Sequence, residues 1–401
     1  MIFKPGLFLC HSSGFAHEIG ALAQELRLRG IPPWVDRDGG FGFGGNCQTE
    51  ARRVISDPGE TFGLLLYATP GVFDRPFISN IELPSAIARK DGDDSYMLTA
   101  VTRKLSRGDF SSESQKHLGI DLNKYHGASI ATQDDEKIND LPLRPQLRKV
   151  ALGILQQRLP AILKSDALLV GINFCTRDIL PSAFDDVLHI DAAIIQDGQE
   201  ENWKRVLLGL RDVKETVRRI QPRPVVRVRG SKHLTGAFLI GRMFSTSTVA
   251  ELLVQQGDEL WSSSHNKTQS PLKHSVEDEA VDSRHLFVEI SVTHSVRDRV
   301  REFSQQSGVM PMAHLRFDRA EDGPLQSDNE VACSIAQQVT EEIKIFCSKR
   351  RIEKLHLFAA VPQALMMLIA QRLNATVPFQ LYEFDGGRYR ASIEVSNNDF
   401  L

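Results

Sequence analysis

Two groups of residues in this chain have the types and spacing to do chemistry. The first lies in the N-terminal third. His11, Ser12 and Ser13 close one apolar run, Trp34 and Asp36 close a second, and Phe77, Ser79 and Glu82 follow further on. Polar groups collected where strands end mark the place where open α/β sheets bind ligands. A single carboxylate such as Glu82 can stabilise positive charge developing on a substrate without help from a metal. The second group lies at 214–242, where eight Lys and Arg stand against one acidic residue. In Val225-Val226-Arg227-Val228-Arg229, alternation puts both arginines on one face of a strand. Gly230-Ser231-Lys232-His233 then turns into a helix. Cations, small residues and a helix N-terminus in one place suit a phosphate. Plainer roles stand beside these: a solvated basic face for 214–242, helix capping for Ser12 and Ser13, core packing for Trp34, loop-holding for Asp36, and an exposed helix position for Glu82.

The elements that must position these groups can be read from periodicity. Residues 6–36 run strand, polar loop, amphipathic helix, strand. Strands predicted at 6–10, 31–35, 61–67 and 95–101 alternate with helices at 16–29, 48–55 and 77–89, which predicts a parallel sheet covered on both faces. Residues 106–141 read as loop with some helix. Pro142 and Pro145 introduce an apolar-periodic stretch, 147–163, broken at Pro160. A boundary near 145–165 gives domains at 1–150 and 165–401. In the second, a helix is predicted at 202–220, then strand 225–229, helix 235–244, strands 249–254 and 260–261, and loop over 262–284. Strand 285–292, helix 295–306, strand 311–317, helix 329–349, strand 354–359, helix 363–373 and strand 379–384 complete it. The stretches 225–254 and 355–384 share the order strand, turn, helix, strand. Their helices carry LIGRMF (239–244) and LIAQRL (368–373), with matching apolar positions. A repeat of this kind predicts two similar α/β lobes with a pseudo-twofold cleft between them.

At 401 residues, 41% apolar and 25% charged, the chain has the composition of a globular protein of two or three domains. A net charge of −3 gives no global attraction for nucleic acid, and no DNA partner is expected. The five cysteines are widely spaced without a C-x-x-C pair, and the twelve histidines are scattered, so neither disulfides nor a metal site is expected. No apolar run approaches the ~18–20 residues needed to cross a bilayer. A reduced, cytoplasmic setting without a membrane partner is the expectation.

The first region resembles a TIR domain. The resemblance is carried by the FLCHSS opening, the helix and Trp34-Val35-Asp36 that follow it, the glycine-rich segment 37–45 in the place of the BB loop, and the segment around Phe77-Ile78-Ser79-Asn80-Ile81-Glu82. It implies a flavodoxin-like parallel sheet and, in catalytic members, cleavage of NAD+. Glu82 then takes the catalytic place, with His11, Ser12, Ser13, Trp34, Asp36, Phe77 and Ser79 as NAD+ contacts. Ile78 stands where that family often has Trp. The chemistry is consistent with one carboxylate, because nicotinamide leaves as a neutral molecule and needs no general acid, unlike the leaving group of an ordinary glycoside.

The stretches 197–244 and 355–374 resemble a SAVED domain, a fusion of two CARF-like lobes that binds cyclic oligonucleotides. That resemblance implies ligand contacts at Arg227, Arg229, Lys232, His233, Trp261, Thr293, His294, Pro362, Gln363 and Arg388, with a core role for Trp261 as an equal alternative. The pairing of the two domains is similar to the effectors of the CBASS anti-phage system. It implies an NAD+ glycohydrolase with no prosthetic group, NAD+ as substrate and a cyclic oligonucleotide, cyclic tri-adenylate first, as activator. It also implies head-to-tail self-association into a filament in which 37–45 of one copy completes the site of the next. Two rivals remain: a non-enzymatic TIR scaffold gated by a cyclic nucleotide, and a basic cleft for linear nucleic acid.

Overall fold

The computed structural model describes residues 5–35, 47–130, 143–163, 169–175, 188–193, 199–230, 233–264, 272–279, 282–319, 329–374 and 377–401. The chain divides into two compact units, Met1–Lys164 with Pro181–Ile190, and Ser165–Leu180 with Asp191–Leu401.

The first unit is built on one parallel sheet. Strands β1 (Gly6–His11), β2 (Pro33–Trp34), β3 (Thr61–Ala68), β4 (Met97–Arg103) and β5 (His126–Ile130) lie in the order β2-β1-β3-β4-β5. The run TFGLLLYA of β3 is buried along its whole length, as a central strand with both faces covered requires. Helices α1 (Ala16–Arg27), α2 (Cys47–Ser56), α3 (Leu83–Gly92) and α4 (Arg107–Leu118) connect the strands, and α5 (Leu143–Ile162) follows β5 and packs on α1. Helix α1 presents Ile19, Leu22, Ala23 and Leu26 to the core at helical spacing. Helix α4 has almost no apolar stripe but is closed at both ends: Ser106 Oγ accepts the Asp109 N–H at 3.1 Å, and Gly119 takes a left-handed φ of 69°. Helix α5 runs through Pro160 and stops two residues later, so the proline sits in a last turn and not at a break.

The second unit contains two lobes of matching topology. The first has β6 (Leu169–Cys175), α6 (Glu200–Ile220), β8 (Val225–Arg229), α7 (Leu234–Met243), β9 (Glu251–Gln256) and β10 (Glu259–Ser262), while the short β7 (Leu188–Asp191) straddles the unit boundary at 190/191. The second has β11 (Leu272–Asp278), β12 (His285–Ser291), α8 (Arg297–Ser307), β13 (Ala313–Arg319), α9 (Asn329–Lys349), β14 (Lys354–Ala360), α10 (Gln363–Arg372), β15 (Phe379–Asp385) and β16 (Arg388–Val395). The neighbours β10-β9-β8-β6 in one sheet correspond to β16-β15-β14-β12 in the other. In both sheets the outermost strand of these four is antiparallel and the other three are parallel. Even α6 and α9 match, at 21 residues each.

The repeated hexapeptides lie where the lobes meet. Helices α7 and α10 are buried all round and pack against each other. A Cβ placed on Gly241 would come within 2.4 Å of the Met367 carbonyl oxygen and 3.0 Å of Ala370 Cβ. Gly241 and Ala370 hold the same place in the two hexapeptides, so equivalent positions touch, as they must at a pseudo-twofold axis. Each lobe also supplies an acceptor to the first turn of the other's helix. Glu383 of β15 accepts the Thr235 N–H of α7 at 2.7 Å, and Gln256 of β9 accepts the Ala364 N–H of α10 at 3.4 Å. No described helix is long and apolar enough to cross a membrane.

Candidate functional site

The second unit has a cleft of about 400 Å³ at the carboxyl ends of β12 and β14. Ligands enter α/β sheets at such ends because the chain there leaves the sheet and frees its polar groups. Thr293, His294, Ser295 and Val296 follow β12, Ala359 to Val361 end β14, and Gln363 opens α10. Leu234, from the start of α7, brings in the other lobe. The floor is tied together by backbone: the Val292 and Thr293 N–H groups and the Thr293 hydroxyl all donate to the Ala360 carbonyl, at 3.0, 3.0 and 3.1 Å. Arg299 on α8 reaches the same cleft. The β15–β16 hairpin supplies an aromatic wall. Phe384 is 47% exposed, a large apolar surface left open at the rim, and its ring stands edge-on to Tyr389 at 5.2 Å. Glu383 also lines the cleft, with one oxygen on the α7 N-terminus and the other 3.5 Å from His233 Nδ1.

Three of the ten residues predicted to meet a cyclic nucleotide, Thr293, His294 and Gln363, line this cleft, and Pro362 lies between two that do, as the residue that caps α10. His233 caps α7 and joins the cleft through Glu383. Arg227 and Arg229 share one face of β8 while Val226 and Val228 turn into the core, which is the alternation predicted. Arg388 is exposed at the start of β16, next to Tyr389. Trp261 is 1% exposed and its indole N–H faces Glu259 at 3.4 Å, a core position. Lys232 lies outside the described residues. Sequence reasoning missed Arg299, Glu383, Phe384 and Tyr389. The signal for the last three is the Asp385-Gly386-Gly387-Arg388 turn, where both glycines take positive φ, 57° and 81°.

In the first unit, Glu82 is buried, at the junction between a π-helical turn (Ile78–Glu82) and α3. Pro84 fits there because it stands in the first turn of α3. The Glu82 carboxylate meets the Cys10 thiol at the end of β1; burial first, then the charge and hydrogen bond of Glu82, push that thiol's pKa up. Ser12 is buried and its hydroxyl pairs with that of Thr69 at 3.2 Å, while His11 Nδ1 is 3.0 Å from the Ser12 carbonyl. The Ser79 hydroxyl donates to the carbonyls of Phe73 and Arg75. Trp34 stacks on Phe8, with centroids 4.8 Å apart, against the core. Ser13 is exposed and Phe77 half-buried. Asp36 and the glycine-rich segment 37–45 lie outside the described residues. The structure thus brings Glu82 to Cys10 and Ser12 to Thr69, and turns Trp34 and Ser79 toward other partners. Among the described residues, no group of three or more His, Cys, Asp and Glu could hold a metal ion.

Comparison with known proteins separates the two halves of the sequence reading. Residues 210–395 match the SAVED family, described as the SMODS-associated and fused to various effectors sensor domain. Among solved structures, the chain is similar to an Acinetobacter baumannii Cap4 SAVED/CARF-domain containing receptor with the cyclic trinucleotide 2'3'3'-cAAA (TM-score 0.51, 15% identity, 86% of this chain and 84% of that one). The same receptor with 3'3'3'-cAAA gives TM-score 0.49 and 16% identity over the same shares of both chains. A Moraxella osloensis Cap4 receptor gives 0.46 and 13%, over 83% of this chain and 80% of that one. No curated protein matches the chain in sequence.

The 86% coverage is more than the second unit alone can supply, so the likeness to the Cap4 receptor fold runs into the first unit. The assignment of residues 1–150 to a flavodoxin-like TIR domain is corrected on this finding. Its motifs were those that any parallel α/β sheet produces: an apolar strand, a polar strand end, an amphipathic helix and another strand. With it go the NAD+ glycohydrolase activity, NAD+ as substrate and the TIR scaffold alternative. The exclusion of DNA as a partner is withdrawn as well. What the chain is similar to is a SAVED/CARF-domain receptor, with the SAVED match confined to the two-lobed second unit.

Proposed function

We propose that this protein is a cyclic-oligonucleotide-gated effector of the CBASS type, acting in the cytoplasm, with the second unit (165–401) as sensor and the first (1–150) as the arm it controls. The observation that carries the reading is the cleft at the carboxyl ends of β12 and β14, which lies within the SAVED-matching stretch and takes residues from both pseudo-equivalent lobes. A ring of nucleotides repeats a phosphate and a base in each unit, and the cleft offers both kinds of contact. Gln363 and the start of α10 meet phosphate, Thr293 and His294 meet phosphate or ribose, and Phe384 offers a face to a base. Arg227, Arg229, His233 and Arg388 extend the site along the lobes. Cyclic tri-adenylate is the activator to try first, since the similar A. baumannii receptor is described with cyclic trinucleotides of that composition.

The test is isothermal titration of the full chain with cyclic tri-adenylate, cyclic dinucleotides and linear tri-adenylate, followed by incubation of the protein with plasmid DNA with and without the bound ring. Saturable binding of a ring supports the sensor role, and conversion of DNA only with the ring bound supports a gated first unit. Absence of binding by every ring removes the sensor role. Binding without any change in DNA leaves the sensor and removes DNA as the substrate.

A further inference from the structure

The first unit holds a second cavity, of about 440 Å³, at the edge of its sheet opposite to Glu82. It forms where the amino ends of β4 and β5 meet the carboxyl ends of α3 and α5. Lys90, Lys124 and Arg158 line it, against one acidic residue, Asp94. None of the three cations is paired with a carboxylate among the described residues. Arg158 lays its guanidinium over the Phe62 ring at 4.2 Å, and burial lowers its pKa. Lys124 holds its ammonium over the Tyr125 ring at 4.8 Å. Lys90 donates to the Asp94 backbone carbonyl at 2.5 Å. His126, also in the lining, has its pKa lowered by burial and then by Arg107, so it adds a neutral imidazole. Among the described residues the lining holds three cations against one carboxylate, so the cavity presents a net positive field that favours an anion.

We propose that this cavity binds a phosphorylated small molecule of nucleotide size, with Arg158 and Lys124 holding the phosphate and Tyr125 as the adjoining flat wall. The planar guanidinium suits a phosphate's paired oxygens, and the volume lies in the range of small-molecule sites. This site is independent of the cyclic-oligonucleotide cleft and stands or falls without it.

The experiment is calorimetric titration of the full chain with ATP, inorganic pyrophosphate and adenosine, repeated in the presence of saturating cyclic tri-adenylate. ATP is expected to bind saturably and adenosine not at all. Pyrophosphate is expected to bind more weakly than ATP, because the base and ribose add contacts along the Tyr125 wall; pyrophosphate binding as tightly as ATP would overturn the nucleotide-size ligand. Lys124→Glu, a change at an exposed position that leaves the core intact, is expected to weaken binding at least tenfold, and Arg158→Gln to do the same. Silence of both ATP and pyrophosphate at millimolar concentration, binding unchanged in Lys124→Glu, or adenosine binding as tightly as ATP would each overturn it.

Discussion

Glu383 places a negative charge inside the cleft proposed to hold a polyanion, and this gives a quantitative prediction. One of its oxygens accepts the Thr235 N–H at 2.7 Å and the other lies 3.5 Å from His233. At the equivalent place in the other lobe, the acceptor on α10 is the neutral amide of Gln256, at 3.4 Å. Helix α7 therefore carries its own anion while α10 does not, and a bound phosphodiester is repelled from one side. Glu383→Gln keeps an acceptor for Thr235 and removes the charge. Two unit charges about 9 Å apart at an effective dielectric of about 20 interact by roughly 2 kcal/mol, and salt reduces this to about 1 kcal/mol. The variant should therefore bind cyclic tri-adenylate roughly fivefold to tenfold more tightly. The fold loses a charge-assisted contact at a helix N-terminus, worth about 0.3–1 kcal/mol. Calorimetry at low and high salt reads the effect: the gain should shrink as salt rises. Equal or weaker binding by a folded Glu383→Gln protein would refute the reasoning.

Three further outcomes follow from the packing and burial. Gly241→Val puts a side chain where even a Cβ meets the Met367 carbonyl at 2.4 Å; overpacking of this kind costs about 1–3 kcal/mol, and the melting temperature should fall by roughly 2–4 °C per kcal/mol. His356 is held at a pKa of about 3 by burial first and then by His285 and Lys354, with the Tyr382 hydroxyl on its Nδ1 at 2.7 Å. Its unfolded pKa is about 6.5, so below that pH the unfolded chain takes up more protons and stability drops as pH falls; a melting curve series from pH 7 to pH 5 should show the loss, and His356→Gln should flatten it. Cys10 is buried with its thiol pKa raised whereas Cys47 is exposed, so alkylation of the native protein at pH 8 followed by peptide mapping should label Cys47 and spare Cys10.

The sequence is most legible where burial imposes a period. Strand β8, helix α9 and the two repeated strand–helix–strand units stand within a few residues of their predicted bounds, because apolar residues there alternate or recur every three to four positions. Residues 262–284 read as loop, yet Leu272–Asp278 is strand β11. That strand pairs along one edge of its sheet with six of its seven residues exposed, so no buried face marks its sequence. Helix α4 is hidden for the same reason, and only its caps announce it. Pro160 reads as a break because the local rule against proline ignores its position near a helix end. In the cleft, Thr293, His294 and Gln363 are readable because strand ends and helix starts can be located; Glu383 and Phe384 are not, because the hairpin that projects them reads from its sequence as the end of a strand. The TIR resemblance fails at a different level. His11, Ser12, Trp34 and Glu82 sit at strand ends and a helix start that many parallel sheets share, and placement on such a sheet does not carry a chemistry.

The sensor role is tested most directly by titrating cyclic tri-adenylate into the full chain beside a His294→Ala, Gln363→Ala double variant. We predict saturable binding of one ring per chain, linear tri-adenylate binding at least tenfold more weakly, and at least a tenfold loss in the double variant with its unliganded melting temperature little changed. Binding that does not distinguish ring from linear chain, or that survives undiminished in the double variant, would contradict the assignment of this cleft as the sensor.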